Sequence, residues 1–161
     1  MDDIENQARA KGERAEQVAS WYFRLNGFLS IPGYVVHPDQ PRRFPRTEAD
    51  LMAVRFPYSV ERINRVPMSD DRRITELAKP SRTLFVLAEV KSDLCKINGP
   101  WSREDEGNMQ RAIGRLGFAE DARLEDIAEE MYRSLRWEGK DYVLQYVAVG
   151  KRRNEGLQQL A

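Results

Sequence analysis

At 161 residues the chain fits one domain with room for a sizeable insertion, and it is long enough to bury a real core. Hydrophobic residues make up 41% and charged residues 32%, which excludes wholesale disorder, and the formal net charge of zero means that any hold on nucleic acid must come from local patches. The lone Cys95 excludes an internal disulfide framework, and no apolar run approaches a signal-sequence core or a membrane span, so a cytoplasmic protein without membrane contact is the expectation.

From about Asp3 to Asn26, Ala8, Ala15, Val18, Ala19, Tyr22 and Leu25 recur at steps of three and four, which predicts a helix with one apolar stripe, stopped by Gly27. Phe28 to His37 reads as a strand interrupted near Pro32-Gly33. Thr47 to Phe56 reads as a second strand, with Glu48, Asp50, Met52 and Val54 on one face and Ala49, Leu51 and Ala53 on the other. Pro57 to Arg82 loses apolar periodicity and is expected to be an insertion, with one or two helical turns at Arg72 to Ala78. Thr83 to Lys91 is the strongest strand. Ser102 is placed to cap a helix running to about Leu116, with Glu104 and Asp105 against its dipole and Gly117 at its end. Leu124, Ile127, Ala128, Met131 and Leu135 mark a further helix, ended by Glu138-Gly139, and Tyr142 to Val149 is the last strand. Interspersed helices and a single sheet mean an α/β or α+β sandwich.

The chemistry concentrates where the run Leu84 to Val90 meets two charges. Glu89 and Lys91 stand two apart, so they share a strand face about 6.5 Å apart, in a segment greasy enough to be interior. Burying such charges is costly unless they are paired or used. Asp50 is a second strand carboxylate and Glu16 a helix carboxylate. Together these acids are hard oxygen donors of the kind Mg²⁺ accepts, and a neighbouring lysine can orient or deprotonate a metal-bound water that attacks a phosphodiester.

This set resembles the PD-(D/E)xK nuclease superfamily, in its Holliday-junction-resolvase-like branch, across roughly Gly12 to Val149. The first helix is similar to that branch's at Glu16, Ala19, Tyr22-Phe23 and Gly27-Phe28. The strand motif is matched by Glu48-Ala49-Asp50-Leu51, with Ala49 where the superfamily's proline would stand, and the signature Glu-x-Lys by Glu89-Val90-Lys91. The resemblance implies an α/β restriction-endonuclease-like core: a central mixed sheet of about four strands flanked by helices, in αβββαβ order. The chain would be a single domain over 1–161, with the 57–82 insertion between the second and third strands. It implies a Mg²⁺- or Mn²⁺-dependent endonuclease that cuts DNA in a structure-selective or nonspecific way. Asp50, Glu89 and the Val90 carbonyl would hold metal, Lys91 would position the water, and Glu16, rather than Glu13, would complete the acidic cluster. Gln110 falls where some relatives place a phosphate-binding glutamine. The alternative is a noncatalytic nucleic-acid- or protein-binding domain on the same scaffold; a structural ion pair in an unrelated α+β protein is a third.

Plainer readings stand beside these. Glu138-Gly139-Lys140 is a second Glu-x-Lys, in a turn. Glu48 is a partner of Asp50 or a surface charge. His37 has no companion for a zinc site, and Cys95 reads as a packed thiol. Trp21, Trp101 and Trp137 fit packing better than base stacking. Arg42, Arg43 and Arg46, just before the Asp50 strand, are candidate phosphate contacts, as are Lys79 with Arg82, Lys151 to Arg153, and Arg111 with Arg115. A homodimer, and a protein partner on the 57–82 insertion, are further expected associations.

Overall fold

The computed structural model describes residues 2–37, 47–154 and 159–160, with side chains described from residue 6 to 154 outside the gap. Arg42, Arg43 and Arg46 therefore lie outside the described residues.

Helix α1 (Asp2–Leu25) is rich in Ala, Glu, Gln and Arg, all strong helix formers. Its end is a Schellman turn: Gly27 takes φ 78°, the Phe28 amide donates to the Phe23 carbonyl, and the Gly27 amide to that of Arg24. Phe28 packs edge-on against Phe23 at 5.1 Å, the apolar contact that usually seals this turn. The buried stripe is Ala19 and Phe23, not the expected line through Val18 and Leu25, which are 68% and 62% exposed. Two neighbouring stripes satisfy a three-and-four repeat, and the sheet covers the one bearing the larger ring.

The chain then forms β1 (Leu29–Val36) and β2 (Thr47–Arg55), antiparallel to each other and in the same register on both sides of Gly33. The interruption expected at Pro32-Gly33 is confined to Gly33, which takes φ 62° and is skipped by the ladder; Pro32 keeps its place because β1 is an edge strand where a missing N–H is harmless. Within the insertion stand a hairpin, β3 (Arg62–Ile63) and β4 (Val66–Pro67), and a short helix α2 (Arg72–Leu77). The hairpin turns on Asn64 and Arg65, both at positive φ as a two-residue primed turn requires. The buried Arg55 ties it to the body, donating to the carbonyls of Asn26 and Ser59 and pairing with Asp70.

Strand β5 (Thr83–Val90) is buried from Leu84 onward and occupies the sheet's centre, antiparallel to β2 and parallel to β7 (Tyr142–Val149). Between them lie α3 (Asn108–Leu116) and α4 (Leu124–Ser134). The helix expected from Ser102 starts six residues later. Gly99–Trp101 and Glu104–Glu106 are single 3₁₀ turns, and Gly107, at φ 63°, breaks the path before α3 begins. Glu104 and Asp105 thus do not serve the α3 dipole. Short strands β6 (Arg136–Glu138) and β8 (Gln159–Leu160) both pair with β7, so the mixed sheet runs β1-β2-β5-β7-β6 with β8 beside β7, more than the four strands expected.

Alternation along the central strands gives two cores. Leu84, Val86 and Ala88 meet Phe23, Phe28, Ile74 and Leu77 beneath α1 and α2. Phe85 and Leu87 meet Trp101, Ile113, Met131 and Tyr146 beneath α3 and α4. The result is an α/β sandwich with helices on both sheet faces. Among the described residues no helix is long and apolar enough to cross a membrane.

Candidate active site

Asp50 enters the site because β2 and β5 are in register. One step beyond the Leu51 to Ala88 pair, Asp50 stands across from Glu89. Its Oδ2 accepts a 2.6 Å hydrogen bond from the Val90 amide, so a carboxylate forty positions away in sequence caps the end of the Glu89 strand. Its other oxygen takes no hydrogen bond from a described residue.

Glu89 is 0% exposed, and its oxygens are fully engaged. Oε1 accepts from the Lys91 ammonium and the Asn98 amide, and Oε2 from the Tyr146 hydroxyl at 3.2 Å. Lys91 is itself fixed by its amide, which donates to the Val149 carbonyl at 2.8 Å. Gly150, next in β7's path, has no room for a side chain: a Cβ would lie 2.7 Å from the Asp93 carbonyl and 3.1 Å from Cys95 Sγ. The two strand ends that carry Lys91 are thereby locked together.

Glu16 completes the group from α1. It lies seven residues before Phe23, two turns back along the same side of the helix; its side chain is exposed, as is that of Glu13, which pairs with Arg9 at 3.1 Å. Burial raises the Glu16 pKa, and so do the charges of Asp50, Glu48 and Glu13; Lys91 opposes them. Burial also raises Asp50, against the Val90 amide and Lys91, and raises Glu89 against its bond from Lys91, with Asp50 adding to the rise. Three carboxylates, two of them withdrawn from water, therefore face one ammonium. That excess of negative charge is what a divalent cation would neutralise.

The donor set fits such an ion through Asp50, whose second oxygen is available, and through Glu89 once one of its present donors yields. As placed, no three acidic, histidine or cysteine side chains among the described residues converge to hold a metal. Mg²⁺ needs only one or two carboxylates and keeps waters elsewhere, so a two-acid site suffices.

The comparisons with known proteins add nothing to this geometry. No family model, curated protein or solved structure matches the chain.

The other expected residues are scattered. Glu48 is exposed, its Oε1 lying over Gly33, yet its charge reaches Glu16. Arg111 donates to the carbonyls of Glu106 and Gly107 and so folds back over the turn that precedes its own helix. Gln110 has a buried Oε1 without a partner, and nothing connects it to Lys91. Trp101 is core, its indole N–H reaching the Glu48 carbonyl; Trp137 packs near Phe118, and only Trp21 is exposed, under Arg24. Cys95 is buried and His37 exposed at a strand end. Lys79 and Arg82 are both spent on Glu138.

Asn98 and Tyr146 were not legible as site residues. Tyr146 offered one faint signal, since it shares strand parity with Leu144 and so points into the same core that Glu89 enters. Removing its hydroxyl leaves Glu89 Oε2 short of a donor. Tyr146→Phe is expected to lower stability by about 1–3 kcal/mol, the penalty for a buried acceptor left unmet, as read by urea unfolding. An unchanged midpoint would mean that this bond is not formed.

Proposed function

We propose that the chain is a metal-dependent endonuclease with a restriction-endonuclease-like core, acting on DNA phosphodiester bonds. The observation that carries this is the Asp50 carboxylate seated on the Val90 amide, opposite the Glu89 and Lys91 pair, with Glu16 within electrostatic reach. The order α1, β1, β2, β5, two helices, β7 supports the reading, as does the path β1-β2-β5-β7, in which only the last step is parallel.

Asp50, Glu89 and the Val90 carbonyl would hold Mg²⁺ or Mn²⁺. When bound, such an ion supplies a Lewis acid for the phosphate oxygens and lowers the pKa of a water. The chain's own part is positional. Asp50 fixes the end of β5 through Val90; Tyr146 and Asn98 aim the Glu89 carboxylate; Lys91, shared with Glu89, presents its ammonium where an attacking water and the developing phosphate charge would sit. Glu16 adds negative charge that favours a cation.

A scaffold reading without catalysis draws on one observation, the three donors that already satisfy Glu89. The two readings part in one assay. Supercoiled and branched DNA incubated with purified protein should be nicked in Mg²⁺ or Mn²⁺ and untouched in EDTA; no cutting of any DNA form in either metal would leave the scaffold.

A further inference from the structure

Alongside the acidic site, α1 and the ends of β5 and β7 enclose a cavity of about 510 Å³ that no step above uses. Its walls carry Lys11, Arg14, Arg73, Lys91 and Lys151, and no acidic residue. Lys91 is held by Glu89; the other four form no ion pair among the described residues. Two acids stand just outside: Asp71, beside Tyr22, and Asp93, which feels Lys11 and Lys151 but is gripped by both arms of Arg152 at 2.7 Å. Four cations without an ion pair around one concavity that no acid lines favour an anionic occupant.

The floor argues for more than a bare anion. Ala15, Val18, Ala19, Val90 and Val149 line it together with Tyr22, whose buried hydroxyl lies beside Asp71. Burial and the neighbouring Asp71 charge push the Tyr22 pKa up to about 12, so the group remains a donor at neutral pH. The volume lies in the ~300–1,000 Å³ range that encloses a small organic ligand, too small to admit a duplex. A second concavity continues from it along α1 to Gln7, sharing Lys11, Arg14 and Ser92. From Gln7 to Tyr22 the helix advances about 22 Å at 1.5 Å per residue. An elongated groove with cations spread along an apolar bed suits a chain of phosphates joined by sugars and bases. A single-headed lipid would need one cation and a deeper apolar channel.

We infer that this groove seats an unpaired, single-stranded stretch of nucleic acid. Lys11, Arg14, Arg73 and Lys151 take its phosphates, and the apolar bed takes the sugar and base faces. The strand leaves at Lys91, the one side chain common to the groove and the acidic site. The inference rests on the nuclease reading only in calling this strand the substrate; the binding itself requires no metal and no cleavage.

The test is fluorescence anisotropy in EDTA with a labelled oligothymidylate of roughly eight nucleotides, within the ~4–16-nucleotide footprints of strand-binding sites. Wild type should bind it about tenfold more tightly than a blunt duplex of equal length. The dependence of log affinity on log salt should have a slope of about −3, from four cations at about 0.7 each. The pair Lys11→Ala and Arg14→Ala should reduce that slope by about 1.4. Ala15→Trp, which fills the bed without touching charge, should weaken binding about tenfold, while Lys140→Ala, which removes an exposed cation outside the groove, should bind as wild type does. No binding, equal binding of duplex, or an unmoved salt slope in folded variants would overturn the groove assignment and leave the cleavage assay standing. Competition by free thymidine monophosphate as strong as by the oligomer, or by anionic vesicles, would overturn the strand as occupant.

Discussion

Asp50→Asn protein is expected to lose metal-dependent DNA cleavage by on the order of 10²-fold or more while keeping its fold. Asparagine retains an oxygen for the Val90 amide, so the link between β2 and the end of β5 survives. What disappears is the charge. Because Asp50 is desolvated and faces Glu89 and Glu16, removing that charge relieves repulsion in the metal-free protein. Thermal stability in EDTA should therefore stay level or rise. Loss of activity together with a higher midpoint separates a site residue from a structural one; a fall in stability equal to that of a core truncation would assign Asp50 to the scaffold.

Lys91→Met carries the largest expected effect on stability. Glu89 is wholly buried and Lys91 is its only ionic partner among the described residues, so cutting the pair strands a charge in the core. Removing one member of a buried pair typically costs about 3–5 kcal/mol. Here the penalty depends on pH. Burial already raises the folded pKa of Glu89 above 4.5, and Lys91 is the main force lowering it, so the variant's Glu89 titrates higher still. An acid raised in the folded state gives stability that is complete below its unfolded pKa and lost as pH climbs through the folded one. The deficit should thus be near its full size at pH 8 and small by about pH 4, where Glu89 is protonated in both proteins. Urea unfolding at the two pH values decides it, and a deficit that does not change with pH would show that lost packing, not a stranded carboxylate, is responsible.

Much of this arrangement was legible in the sequence, for physical reasons that also mark where reading failed. Strand β5 announced itself because it is buried on both faces and so reads as an unbroken apolar run. The end of α1 was visible in Gly27, though not the Schellman pairing that Phe28 completes. The hairpin at Arg62 to Pro67 and strands β6 and β8 were not, because two or three residues are too few to show a period. The start of α3 was misplaced because Ser102 satisfies its own 3₁₀ turn, donating to the Gly99 carbonyl, and Gly107 then resets the chain. Asp50, Glu89 and Lys91 could be picked out as buried charges on strands. The groove could not, since Arg14, Arg73 and Lys151 meet only after three separate segments fold together.

The central claim is that carboxylates from β2 and β5 share one divalent cation, and Mn²⁺ titration followed by electron paramagnetic resonance addresses it without any nucleic acid. At pH 8 the wild type should bind one ion per chain. Since Asp50 and Glu89 both have raised pKa values, affinity should fall as pH drops toward 5 and protons compete for the same oxygens. Asp50→Asn and Glu89→Gln should each abolish the site. Wild type that binds no ion, or variants that bind it as well as wild type does, would contradict the account.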